Sequence, residues 1–126
     1  LKVILESGEL ADGALVARAS RIALDEGADF LKTSTGKTPH GATPEAARVM
    51  LQAIATDLHA AGRAGFKASG GVRSVADASV YIDLVESVLG ADALVPARFR
   101  IGASGLLADI EAVLAGRGDT PAAAGY

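Results

Sequence analysis

Two lysines occupy equivalent places in this sequence: Lys32 within Phe30-Leu31-Lys32-Thr33-Ser34, and Lys67 within Gly65-Phe66-Lys67-Ala68. Each apolar run reads as a short strand covered on both faces, where an ammonium is costly unless a neighbour neutralises it or a reaction uses it. Either lysine alone could equally be a side chain reaching water along its alkyl stem. Two in consecutive strands shift the balance, because adjacent parallel strands carry both ammonium groups toward one end of a sheet. Like charges in a desolvated pocket lower each other's pKa. A lowered pKa suits an amine nucleophile, since only the neutral amine attacks a carbonyl.

A second constellation follows the strands. The loops Thr33-Ser34-Thr35-Gly36-Lys37, Ser69-Gly70-Gly71-Val72-Arg73-Ser74 and Gly102-Ala103-Ser104-Gly105 each lead from a strand-like run into a helical one. One glycine-rich loop is usually only a turn, but three in succession with hydroxyls and basic residues read as an anion site. Glycine lets the backbone approach an oxyanion, helix N-terminal N–H groups point at it, and Lys37 and Arg73 add charge. The expected ligand is a phosphate monoester.

The elements that must position these groups alternate between strand and helix, the pattern of βα units and a parallel sheet. The first unit joins a strand at 1–6 to a helix at 12–26, with Leu15, Ala19, Ile22 and Ala23 as its apolar stripe and Gly27 as its stop. The second joins a strand at 29–34 to a helix opening at Thr43-Pro44-Glu45. In the third, a strand at 65–68 precedes a helix opening at Ser74, with Asp77 three residues on as in a capping box. A strand at 99–102 and a helix at 106–114 complete the fourth.

The expectation is therefore an α/β domain: four βα units at 1–116 forming half of a TIM (β/α)8 barrel, with 117–126 a flexible C-terminal tail. The 126 residues are half of the roughly 250 in a complete barrel. A flavodoxin-like open sheet is the competing arrangement. The opening Leu1-Lys2-Val3-Ile4-Leu5 enters a strand with no preceding methionine and reads as a cut end.

Composition narrows the function. Twelve basic and 15 acidic residues give a net charge of −3 with no basic stripe, which argues against a nucleic-acid partner. The absence of cysteine removes disulfide, thiolate and cysteine–metal chemistry and permits a cytoplasmic location. No segment reaches the roughly 20 apolar residues of a membrane span. His40 and His59 stand too far apart in pattern to suggest a metal site, and neither takes a role.

Three segments, Phe30 to Lys37, Gly65 to Arg73 and Phe99-Arg100-Ile101-Gly102-Ala103-Ser104, resemble the class I deoxyribose-phosphate aldolases, as do Leu1 to Leu10 and the terminal Tyr126. The resemblance runs the length of the chain, and its two lysine motifs resemble the sixth and seventh strands of that family's barrel. It implies reversible cleavage of 2-deoxyribose 5-phosphate to glyceraldehyde 3-phosphate and acetaldehyde, without metal or organic cofactor. On that resemblance Lys32 forms the Schiff base, Lys67 lowers its pKa, and Tyr126 assists proton transfer at the donor carbon. Thr35 contacts the substrate, while Gly36, Lys37, Gly70, Gly71, Gly102 and Ser104 surround the phosphate. Gly105 stands where many relatives have a second serine.

The departure is that four barrel strands are absent, and with them the aspartate that relays protons in the family. Glu6 is the one conceivable substitute, and Lys2, at an edge, is left to solvent. Half barrels should pair as a homo-oligomer or take up a complementary N-terminal half. The alternative is a catalytically silent phosphate-binding fragment.

Overall fold

The computed structural model describes residues 1–117. Its strands are β1 (Lys2–Ile4), β2 (Phe30–Lys32), β3 (Gly65–Ser69) and β4 (Phe99–Gly102). Its helices are α1 (Ser7–Leu10), α2 (Gly13–Asp25), α3 (Pro44–Thr56), α4 (Val75–Leu89) and α5 (Leu106–Leu114), with a 3-10 turn at Ala91–Ala93. The strands form one parallel sheet in the order β1-β2-β3-β4.

That order separates the two expected architectures. A doubly wound sheet reverses direction at a switch point, whereas here each strand adds beyond the last. The helices accordingly pack as neighbours in one layer, α2 on α3, α3 on α4 and α4 on α5. The fold is the half barrel.

Alternation along each strand sorts the residues between the two faces. Leu31, Phe66 and Ala68 point at the helix layer and are fully buried with Met50, Leu51, Ile54 and Val85. Each large side chain so buried contributes about 1.5–3 kcal/mol. The opposite face carries Lys2, Ile4, Lys32, Lys67 and Arg100, none of them buried.

The helix starts follow the sequence. The Thr43 hydroxyl accepts from Ala46 N, with proline in the first turn of α3. Ser74 and Asp77 form a reciprocal capping box at α4. The expected stripe of α2 holds at Ala23 but not at Leu15 and Ile22, which are 48% and 55% exposed; the inward face is Val16, Ser20, Ala23 and Leu24. A serine fits that face because its hydroxyl donates to the Val16 carbonyl at 2.8 Å. The short α1 was not expected either.

Beyond the ends of β2 and β3 the strands remain tied. The Thr33 hydroxyl donates to the Ser69 carbonyl and accepts from the Ser69 N–H, both at 2.9 Å and fully buried. Thr33→Val keeps the shape but leaves the Ser69 N–H unpaired. It should reduce stability by about 1–3 kcal/mol, seen as a lower urea midpoint with an unchanged m-value.

Candidate active site

The pairing register sets Ile4, Lys32, Lys67 and Arg100 abreast on four adjacent strands, with strands about 4.8 Å apart. Three cations thus form one row. Burial is the main cause that pulls the Lys67 ammonium below the ordinary lysine pKa, and the charges of Lys2, Lys32 and Arg100 add to it. Among the described residues Arg100 has no counter-ion: its guanidinium stacks on the Phe30 ring at 4.1 Å, and its Nε donates to the Pro96 carbonyl at 2.9 Å. Gly102 leaves the room that Lys67 fills, since a Cβ there would stand 2.8 Å from Lys67 Cε and 2.7 Å from Ser69 Oγ.

Beside this row the loops after β2, β3 and β4 enclose a cleft of about 390 Å³. Thr35, Gly36, Gly70, Gly71, Gly102 and Ser104 line it, as do Arg73 and Gly105. Consecutive left-handed conformations at Gly70 (φ 92°) and Gly71 (φ 85°) make the turn that shapes its wall. The Gly70 carbonyl accepts from Ala42 N at 2.9 Å, tying this loop to the one after β2.

The backbone donors are unevenly available. At α4 the expected anion-facing groups are already used: the Asp77 carboxylate accepts from Arg73 N and Ser74 N, and Asp109 of α5 accepts from Val75 N at 2.7 Å. By contrast, Gly105 gives α5 no side-chain cap. Among the described residues the N–H groups of Gly71, Val72, Ser104 and Gly105 donate to no loop or side-chain acceptor. An anion in the cleft would therefore meet the β3–α4 turn and the α5 terminus rather than the α4 terminus.

Lys37 does not line the cleft and is exposed; its N–H instead supports Thr35 Oγ1 at 3.2 Å. Tyr126 lies outside the described residues. His40 and His59 are exposed, and no cluster of possible metal ligands occurs among the described residues.

Glu6 is not the free carboxylate that a proton relay needs. Both of its oxygens accept from Thr35 N, at 3.2 and 3.1 Å, and Oε2 also takes the Thr35 hydroxyl at 2.6 Å. The Thr38 hydroxyl stands 3.2 Å from Oε1. The bond from the Thr35 hydroxyl leads in holding this carboxyl below its ordinary pKa, against a smaller opposing effect of desolvation; Thr35 N, Thr38 and Lys32 reinforce it. β1 stops at Ile4, and Glu6 adopts a left-handed conformation (φ 51°, ψ 57°) that turns its side chain toward the β2 loop.

Of the residues singled out by sequence, the structure sets Lys32 beside Lys67 and places Thr35, Gly36, Gly70, Gly71, Gly102 and Ser104 around the cleft. Sequence reasoning missed Arg100 and set aside Lys2, although strand alternation puts both on the lysine face. The clamp at Glu6 had no sequence signal, because it depends on one left-handed residue and on a loop 29 positions away.

The chain is 52% identical to the deoxyribose-phosphate aldolase of Agrobacterium fabrum over all 126 residues, which span 48% of that protein. The chain thus covers about half the length of that curated relative. Among solved structures, an apo form from Toxoplasma gondii, described as a deoxyribose-phosphate aldolase, superposes with a TM-score of 0.76 at 28% identity, over 93% of this chain and 44% of that one. The tetrameric deoxyribose phosphate aldolase of Aeropyrum pernix gives 0.63 at 32% identity, over 90% and 41%. Residues 1–110 match the DeoC/LacD family of aldolases, and the chain belongs to that family.

Proposed function

We propose that the chain carries the imine-forming step of a class I deoxyribose-phosphate aldolase, cleaving 2-deoxyribose 5-phosphate reversibly to glyceraldehyde 3-phosphate and acetaldehyde. The observation that supports it most is the register of Lys32 against Lys67 beside the glycine-walled cleft.

Lys32, as the neutral amine, adds to the C1 aldehyde, and loss of water gives the iminium. The C2–C3 bond then breaks: the C3 hydroxyl gives up its proton, glyceraldehyde 3-phosphate leaves, and the bonding pair remains as an enamine. Protonation at C2 and hydrolysis release acetaldehyde and restore the amine. Lys67, whose basicity is already lowered by burial, suits the proton transfers of carbinolamine formation and breakdown. Tyr126 is assigned protonation at the donor carbon. Gly71, Val72, Ser104 and Gly105 take the phosphate through backbone N–H groups, with Thr35, Gly36, Gly70 and Gly102 shaping the cleft and Lys37 adding positive charge at its margin.

We assign 1–116 to the half-barrel domain and 117–126 to the tail. The sheet leaves one face without a covering layer. On that ground we propose that two half barrels associate, or that a complementary N-terminal half binds. No described helix is long and apolar enough to cross a membrane, and the cytoplasm is the proposed location. The uncovered face also favours the second reading, a phosphate-binding half barrel that is silent until its other half is present.

Mass spectrometry after incubation with acetaldehyde and borohydride separates the two. A two-carbon adduct should form on the native chain, vanish in Lys32→Ala, and survive in Lys67→Ala with trapping slowed on the order of 10²-fold. No adduct on the native chain would leave the silent reading.

The Lys67 titration offers a further check. With ¹³C-labelled lysine, its Cε resonance should report a pKa below the ordinary value. Both Lys2→Met and added salt should raise that pKa, because removing or screening a like charge favours the ammonium. Neither should restore the ordinary value, since burial remains. An identical titration at both salt concentrations would exclude the cationic row as a cause.

A further inference from the structure

The Thr35 hydroxyl has one proton and two lone pairs, and most of this capacity is already committed. Its proton goes to Glu6 Oε2 at 2.6 Å, and one lone pair accepts from Lys37 N at 3.2 Å. Glu6 cannot turn away easily, because the Thr35 N–H bonds both of its oxygens. What Thr35 Oγ1 still offers the cleft it lines is a lone pair. Any ligand group meeting it must bring its own proton. A fully ionised phosphate oxygen cannot, and the Glu6 charge behind Thr35 repels it as well. The N–H groups of Gly71, Val72, Ser104 and Gly105, which have no acceptor among the described residues, present the opposite polarity. The cleft thus distinguishes an anion-accepting end from a hydroxyl-accepting one.

We infer that Glu6 is a positioning residue that fixes Thr35 as a hydrogen-bond acceptor, so that the site selects phosphomonoesters carrying a hydroxyl near the phosphate over their deoxy counterparts. This rests on the sugar-phosphate reading above and adds to it the polarity of one contact and the residue that sets it.

The test uses two unreactive probes, glycerol 3-phosphate and 3-hydroxypropyl phosphate, which differ by the central hydroxyl. Their dissociation constants are measured by NMR titration of the native chain, Glu6→Gln and Thr35→Val. The native chain should prefer glycerol 3-phosphate about fivefold, the effect of one hydrogen bond. In Glu6→Gln the negative charge is lost and an NH2 donor replaces one of the two accepting oxygens, so the Thr35 proton is held less firmly, and the preference should fall toward unity while 3-hydroxypropyl phosphate binds as before. Thr35→Val removes the accepting oxygen itself while Glu6 keeps its bonds to Thr35 N and the Thr38 hydroxyl, and should lose the same preference, which keeps the test decisive if the glutamine variant folds poorly. A preference that survives Glu6→Gln overturns the inference, as does an equal loss of affinity for both probes, the mark of a collapsed loop. If both bind the native chain equally, this inference alone fails. If neither binds, the sugar-phosphate reading fails first and takes the inference with it.

Discussion

Lys32 and Lys67 face each other only because β2 and β3 pair in one register, and the rest of the site is arranged around that pairing. A slip by one residue would turn Leu31 or Phe66 onto the open face and drive a lysine into the helix layer, since side chains alternate with period two. Apolar patterning resists the slip from the helix side. Hydroxyls resist it at the strand ends, where Thr33 takes the Ser69 N–H and returns its proton to the Ser69 carbonyl. Ser34 donates to that carbonyl as well, at 2.5 Å. The Thr-Ser pair after Lys32 therefore acts as a register pin, directly beside the residues whose spacing it protects.

The same register creates an electrostatic asymmetry that the overall charge conceals. The chain is acidic, at −3, yet three cations stand abreast on one face. Arg100 is held there by an aromatic ring rather than a carboxylate, so its charge is left to act on Lys67. Glu6 lies close enough to feel the Lys32 charge, and its oxygens accept from Thr35 and Thr38. A field of this kind draws an anionic substrate and leaves Lys67 a weaker base than an ordinary lysine.

Much of this was legible from residue order. Strand and helix alternation located all four units, and the Ser74–Asp77 pair announced a capping box that the structure contains. The reading failed where a polar group was satisfied locally. Ser20 faces inward because its hydroxyl bonds its own helix, which a hydrophobic count cannot foresee, and so the α2 stripe was misplaced at Leu15 and Ile22. The α4 terminus looked open to an anion until Asp109, from the next helix, was seen to occupy it. α1 was too short, and contains a glycine, to give any periodic signal. Lys2 and Arg100 differ in kind: two-residue alternation from Ile4 and from Gly102 is sufficient to place them on the lysine face.

The open face makes the lysine pair's environment in this chain a lower bound on what a closed barrel would impose. Lys67 is only partly enclosed here, by Gly102, Ser69 and its charged neighbours, and desolvation is already the largest cause of its shift. Whatever covers the face, a second copy or a complementary half, would exclude more water from the row without separating the charges. Both effects act in the same direction on an ammonium. Such a covering partner would couple to amine basicity through burial alone, with no change required in the positions of Lys32, Lys67 or Arg100.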